Sequence, residues 1–137
     1  MKYLLDTCVI TDFVKNHEST AKKINKLTPD RLCISVITTS EIEYGIQKIN
    51  GTKKADNIIE ITNALLGVIE ELNIDHAIAI EAGMIRAQLA ASDKVMSAYA
   101  IFVAATAKAH NLTIITSNTE EFSQVEDLKL ENWREEK

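Results

Sequence analysis

Proline and glycine are nearly absent from this chain: one Pro and four Gly in 137 residues. That scarcity excludes collagen-like, Pro-rich and disordered readings. Cysteine is scarce as well. Cys8 and Cys33 make neither a CxxC pair nor a disulfide framework, the usage of a reducing compartment. Positive charge is in deficit, with 15 Lys and Arg against 20 Asp and Glu and a net charge of −5. Nothing therefore points to a basic wrapper of nucleic acid, although a local basic patch stays open. Long apolar runs are missing too. The opening MKYLLDTCVI holds a short run broken by Asp6, neither signal peptide nor span, and the apolar run 98–105 is far too short to cross a bilayer. The expectation is a cytoplasmic protein with no membrane association.

What is present is ordinary for a globular chain: 46% hydrophobic and 26% charged residues. The length predicts one domain, 1–137, able to bury a core without disulfides or a structural metal. Short apolar runs alternate with longer amphipathic ones. Tyr3–Leu5 reads as a buried strand ending at Asp6, followed by the start of a helix over 11–16 and a second helix over 19–27 that stops near Pro29. A strand over Leu32–Ser35 leads into a helix over 38–49 and a long amphipathic helix over 54–71, with a third strand at 72–74. Asp75 would cap a helix over 77–91, and Ser97 would cap one running to His110. The middle of that last helix, 101–105, is apolar all round and so should be deeply buried. A strand at 112–115, a short helix at 119–125 and an edge strand at 128–130 complete the pattern. Strands separated by helices, with uniformly apolar cores, predict a three-layer α/β/α fold around a central, mostly parallel sheet.

In such sheets ligands bind beyond the carboxyl ends of the strands. Asp6 follows an apolar strand directly, where an ionised carboxylate must be paired, hydrogen-bonded or metal-bound. Taken alone, it reads equally as a helix cap and as an active-site acid. Glu41 falls in the first turn of the helix after the second strand, aimed at the same sheet end, or else answers Thr38 in a capping box. Glu43, two positions on, faces away and should be solvated. Asn118 follows the strand at 112–115 and fits an N-cap as well as a functional role, and Thr116 could give a hydroxyl to the same pocket. Two carboxylates from separate strand–helix junctions make a hard oxygen site suited to Mg²⁺ or Mn²⁺. Such a metal would polarise a phosphoryl oxygen and generate hydroxide. His17, His76 and His110 are scattered, and no HxxxH or Cys/His cluster, P-loop or GxGxxG occurs.

The stretches Leu5-Asp6-Thr7-Cys8-Val9, Ser35-Val36-Ile37-Thr38-Thr39-Ser40-Glu41, the run 98–107, Ile115-Thr116-Ser117-Asn118-Thr119-Glu120-Glu121-Phe122 and the ending 128–133 together resemble a PIN-domain ribonuclease. More closely, the whole chain is similar to the VapC toxins of type II toxin–antitoxin pairs. Each motif is loose; their order and spacing are more specific. The resemblance implies a metal-dependent endoribonuclease acting on structured RNA such as a tRNA or rRNA loop. It implies Asp6 as a metal ligand, Glu41 as a ligand directly or through water, and Asn118 in the fourth position of the acidic site, with Thr7 and Thr116 in support. It also implies a homodimer, and a higher hetero-oligomer with a VapB-type antitoxin whose C-terminal segment runs into the active site.

One departure matters. Where the family carries a ligand aspartate on its buried helix, this chain has Ala100 after Tyr99. Alanine cannot ligate a metal, so the chain reads as an inactive or weakened form, engineered in preference to a natural degenerate copy. The rival from another class is a non-catalytic PIN-like domain that binds antitoxin or RNA without cutting, and Ala100 is the feature that favours it. Glu81 is an additional acid, more readily placed on a solvated helix face. For phosphate contact, Lys53, Lys54 and Arg86 stand out among the basic residues as candidates for the rim of the strand ends. Aromatics are only 5% of the chain, which predicts little binding energy from base stacking.

Overall fold

The computed structural model describes residues 2–134; Met1 and residues 135–137, at the ends of the expected 1–137 domain, lie outside the described residues. From the N-terminus, β1 (Tyr3–Leu5) leads through α1 (Thr7–Val14), α2 (Glu18–Asn25) and a 3-10 turn at Pro29–Arg31 to β2 (Leu32–Ser35). Next come α3 (Val36–Ile49), α4 (Ala55–Leu66), β3 (Glu70–Leu72), α5 (His76–Ala91) and α6 (Ala98–His110). The chain closes with β4 (Thr113–Ile115), α7 (Thr119–Phe122) and β5 (Lys129–Glu131). The strands form one sheet in the order β3-β2-β1-β4-β5, and every ladder is parallel. The expected three-layer α/β/α architecture is therefore present.

Alternation along each strand builds two cores. Leu4, Cys33 and Ile114 point to one face, against α5 and α6 through Ile78, Ile85, Leu89, Val103 and Ala104. Leu5, Ile34 and Ile115 point to the other, against α1, α2, α3 and α4 through Val9, Ile10, Ile24, Ile42 and Leu65. Six of the thirteen residues of α6 are alanine, and Val103 to Ala107 are all buried. Small side chains let this helix approach the sheet closely, as its apolar middle predicted. Both cysteines are free, and burial pushes the Cys33 thiol up to about 11, which makes it inert.

Several boundaries differ from expectation. The first helix starts at Thr7, not near residue 11, because the Asp6 side chain accepts the Thr7 N–H at 2.9 Å and starts the helix at once. The helix expected over 54–71 ends at Leu66. Gly67 follows as its C-cap, and the third strand takes Glu70–Leu72 in place of 72–74. Periodicity ran on because Val68 and Ile69 are apolar, but pairing of Cys33, Ile34 and Ser35 with Glu70, Glu71 and Leu72 sets the register. Exposed Glu70 and Glu71 suit an edge strand, where charge discourages pairing with another chain. The last strand lies one residue later than expected, at the opposite edge. The cap at Asp75 accepts from the Ile78 N–H at 2.9 Å, and that at Ser97 from the Ala100 N–H at 3.1 Å, as the sequence indicated.

The end of the chain returns to its beginning. Trp133 is 2% exposed and meets the Tyr3 ring edge-on at 5.4 Å. Arg134 holds buried Asp12 of α1 through two bonds of 2.6 and 2.7 Å, and the Ser19 hydroxyl of α2 donates to the Trp133 carbonyl. Truncation of Trp133→Ala should destabilise the fold by about 3–5 kcal/mol, the usual cost of emptying a buried aromatic site. Urea unfolding followed by circular dichroism measures this directly; a change below about 1 kcal/mol would show that the clasp carries no weight.

Candidate active site

The strand order reverses direction between β1 and β4, which opens the crevice where open parallel sheets bind ligands. Asp6 closes β1 and Thr116 follows β4, so the two flank this crevice. The Thr116 hydroxyl donates to Asp6 Oδ2 at 2.7 Å and accepts the Asn118 N–H at 2.9 Å. With Thr7 N–H on Oδ1, both oxygens of Asp6 are held. The cap reading of Asp6 is borne out, and the second oxygen of the same carboxylate bonds across the crevice to Thr116. Cys8 sits beside it, its thiol donating to Asp6 Oδ2 at 3.9 Å while accepting the Ser117 N–H at 3.4 Å.

Glu41 reaches the same place from α3. Its Oε1 accepts the Thr7 hydroxyl at 3.0 Å, so Thr7 bridges α1 and α3. The capping-box alternative for Glu41 is overturned. Ser35 is the N-cap, accepting the Ile37 N–H at 3.0 Å, and α3 begins at Val36. Thr38 is instead fully buried, its hydroxyl without a hydrogen-bond partner among the described residues. Burial raises the proton affinity of Glu41 above the usual carboxylate range. The Thr7 hydroxyl partly offsets this, and the negative charges of Asp6 and Glu121 add to it.

Glu121 is the residue that sequence reasoning passed over. Its Oε1 accepts the Asn118 side-chain amide at 2.7 Å, and its Oε2 accepts the Ser97 N–H at 3.0 Å. It therefore ties the start of α7 to the start of α6, one turn from Ala100, which is 7% exposed. Asn118 occupies the N-cap position of α7 without capping it by its side chain, which is spent on Glu121. The available signal was the spacing of Asn118 to Glu121, read as a cap with an answering acid. Asp6, Thr7, Thr116, Asn118, Glu121 and Ala100 all lie in the first turn of a helix or just after a strand, at the carboxyl end of the sheet, and Glu41 joins them from the second turn of α3, not the first as expected. Lys53 and Lys54, exposed in the turn between α3 and α4, and Arg86, exposed on α5, make none of these contacts. Glu81 is half-buried and stands 3.7 Å from Lys108, away from the cluster. Glu43 is exposed and accepts from Gln47, as expected. Among the described residues, no three His, Cys, Asp or Glu side chains form a ready metal cage. The carboxylates are spread along the crevice.

The raised proton affinity has a consequence for stability. Glu41 favours the fold most when protonated, below about pH 4.3, and that contribution is lost as pH rises through its elevated folded-state value. Glu41→Gln should therefore raise the melting temperature at pH 7 in EDTA. The gain should shrink to nothing as pH falls to about 4. Thermal melts of both forms across pH read this; a gap that widens on acidification would reverse the sign.

The PIN domain family profile matches residues 3–128. The chain is 29% identical over 133 residues to a tRNA(fMet)-specific endonuclease VapC of Shigella flexneri, covering 97% of this chain and 98% of that protein. It is 30% identical over 135 residues, at the same coverage, to the protein of that name from Salmonella typhimurium. Among solved structures, a DNA-bound VapBC complex from Salmonella typhimurium aligns with a TM-score of 0.85 and 29% identity, covering 97% of this chain and 98% of that one. The structural neighbours include VapBC complexes of toxin–antitoxin systems, some of them bound to DNA. No described helix is long and apolar enough to cross a membrane. A continuous profile match over nearly the whole chain, on a fully parallel sheet with its acids gathered at the switch point, places this chain in the PIN domain family.

Proposed function

We propose that this chain is the toxin partner of a VapBC-type pair: a metal-dependent endoribonuclease scaffold whose activity is held low by Ala100. The observation that carries this reading is the Thr7 bridge, which brings Asp6 and Glu41 from separate strand–helix junctions onto one crevice. The donor set fits a hard divalent cation. Asp6, Glu41 and Glu121 are oxygen donors, and the mutual repulsion felt by Glu41 is what such a cation relieves. Asp6 and Glu41 would hold Mg²⁺ or Mn²⁺, with Glu121 and Asn118 completing the polar wall. When bound, the metal supplies a lowered water pKa and polarisation of a phosphodiester oxygen.

The residues of the chain do the positioning. Thr116 and the Thr7 N–H fix both oxygens of Asp6, so its orientation is set before any substrate arrives. Thr7 holds Glu41 toward Asp6. Asn118 and Ser97 hold Glu121 at the mouth of α6. An aspartate at position 100 would sit in the first turn of α6, where the helix dipole favours negative charge. Relatives named as tRNA(fMet)-specific endonucleases support RNA as the substrate, and the VapBC complexes among the structural neighbours support a VapB-type antitoxin as partner. A homodimer is part of the same proposal. The second reading, a PIN-like domain that binds antitoxin or RNA without cleaving, is favoured by the missing donor at Ala100 alone.

Cleavage of labelled RNA with Mg²⁺, Mn²⁺ or EDTA, by this chain and by Ala100→Asp, separates the two. The expected result is near-background cutting by the parent and a rise of about 10²–10³-fold in Ala100→Asp, abolished by EDTA. Background activity in both forms with either metal would sink the nuclease reading. In the Ala100→Asp form, Glu121→Gln should lower the rate by about 10–100-fold through loss of its hold on Ser97 and Asn118. An unchanged rate would remove Glu121 from the site.

A further inference from the structure

Of the seven aromatic residues, five belong to the core: Phe122 and Trp133 are buried, and Tyr3, Phe13 and Phe102 pack partly buried against it. The other two are left in solvent, Tyr44 at 67% and Tyr99 at 53% exposure. Their positions are not scattered. Tyr44 follows Glu41 by three residues on α3, so the two share one helix face with neighbouring Cβ atoms. Tyr99 lies in the first turn of α6, beside Ala100, on the helix start that Glu121 ties down through the Ser97 N–H. α3 and α6 pack against each other. The two exposed rings thus stand on the two helices that border the acidic crevice. Lys48 places its ammonium 5.1 Å from the centroid of the Tyr44 ring. Val95, 87% exposed, lines a recess with Asn118, Glu121 and Gln124 on the α6 side.

The electrostatics make these rings matter. A polyanion approaching this crevice meets clustered carboxylates on a chain of net charge −5. The long-range attraction that most nucleic-acid sites use is weak here, so affinity has to come from contacts indifferent to charge. Stacking on an aromatic face is such a contact, since every base has one. We propose that Tyr44 and Tyr99 are stacking platforms for two unpaired bases, one on each side of the phosphate presented to Asp6, Glu41 and Glu121. Lys48 then meets the backbone phosphate next to the base on Tyr44, and Val95 gives that on the Tyr99 side an apolar floor. The substrate strand is single-stranded at the crevice, because bases held in a duplex cannot reach either ring. This rests on the nuclease reading above. It also reverses the expectation that so few aromatics contribute little to binding: two suffice when both border the site.

The parent chain, with Ala100, suits the test, because binding can be measured in EDTA without cleavage. A short fluorescein-labelled single-stranded RNA reports affinity by anisotropy, and 2-aminopurine placed at successive positions reports stacking by quenching. Tyr44→Leu and Tyr99→Leu should each weaken binding about 10-fold and relieve the quenching at a different nucleotide. Tyr44→Phe and Tyr99→Phe should stay within about twofold of the parent, which a role of the hydroxyl would not allow. Parent-like affinity in both leucine variants, with circular dichroism showing them folded, overturns the proposal. So does a change of mass in light scattering with RNA affinity unchanged, which would assign the rings to a protein interface. Failure here is distinguishable from failure of the nuclease reading. An Ala100→Asp form that cleaves RNA with or without the two rings sinks only the stacking platforms, whereas an Ala100→Asp form with both tyrosines that neither binds nor cleaves sinks both.

Discussion

Asp6 does two jobs with one carboxylate, and the rest of the site follows from it. One oxygen caps α1 through the Thr7 N–H; the other accepts the Thr116 hydroxyl and stitches the end of β1 to the end of β4. The first bond fixes where α1 starts, and so where the Thr7 hydroxyl goes. That hydroxyl in turn selects the position of Glu41. A charge at the end of an apolar strand would be costly if left alone. Here it is stabilised by donors from two elements and by the dipole of the helix that it begins. The contacts that start the helix are also the ones that orient the carboxylate at the crevice.

The price of gathering acids is visible at Glu41. Burial and the charges of Asp6 and Glu121 work against its ionised form, and only the Thr7 hydroxyl works for it. Sites that concentrate like charge store destabilisation that a bound counter-ion or substrate can release. Ala100 lies on the edge of this cluster and adds no charge to it. A carboxylate there would increase the repulsion and the demand for a cation together. The alanine therefore adds nothing to the repulsion felt by Glu41.

Much of this was legible from the residues. Uniformly apolar strands between amphipathic helices gave the parallel, doubly covered sheet, and residues just after strands supplied Asp6, Glu41, Thr116 and Asn118. The local misreadings have physical causes. The helix start read at Thr11 lies four residues late because the Asp6 carboxylate caps the Thr7 N–H directly. The helix over 54–71 was overextended because Val68 and Ile69 continue its apolar period, while the strand at Glu70 to Leu72 is specified by pairing with β2, which no local pattern encodes. Glu121 was missed because its partners, Ser97 and Asn118, lie 24 and 3 residues away, and only the nearer one looks like a known local motif. Lys53, Lys54 and Arg86 remain exposed charges without a described tie to the crevice. Surface position relative to a site is set by packing and cannot be read from spacing.

The Asp6–Thr116 bond spans 110 positions of sequence, and the Asp12–Arg134 clasp spans 122. β1 lies at the centre of the sheet, yet one of its two neighbours, β4, is among the last elements to be made. A growing polypeptide therefore carries Asp6 for 110 positions of synthesis without the hydroxyl that orients it. Assembly of the crevice waits until position 116 has been added, so shorter nascent chains hold Asp6 and Glu41 without the Thr116 bond.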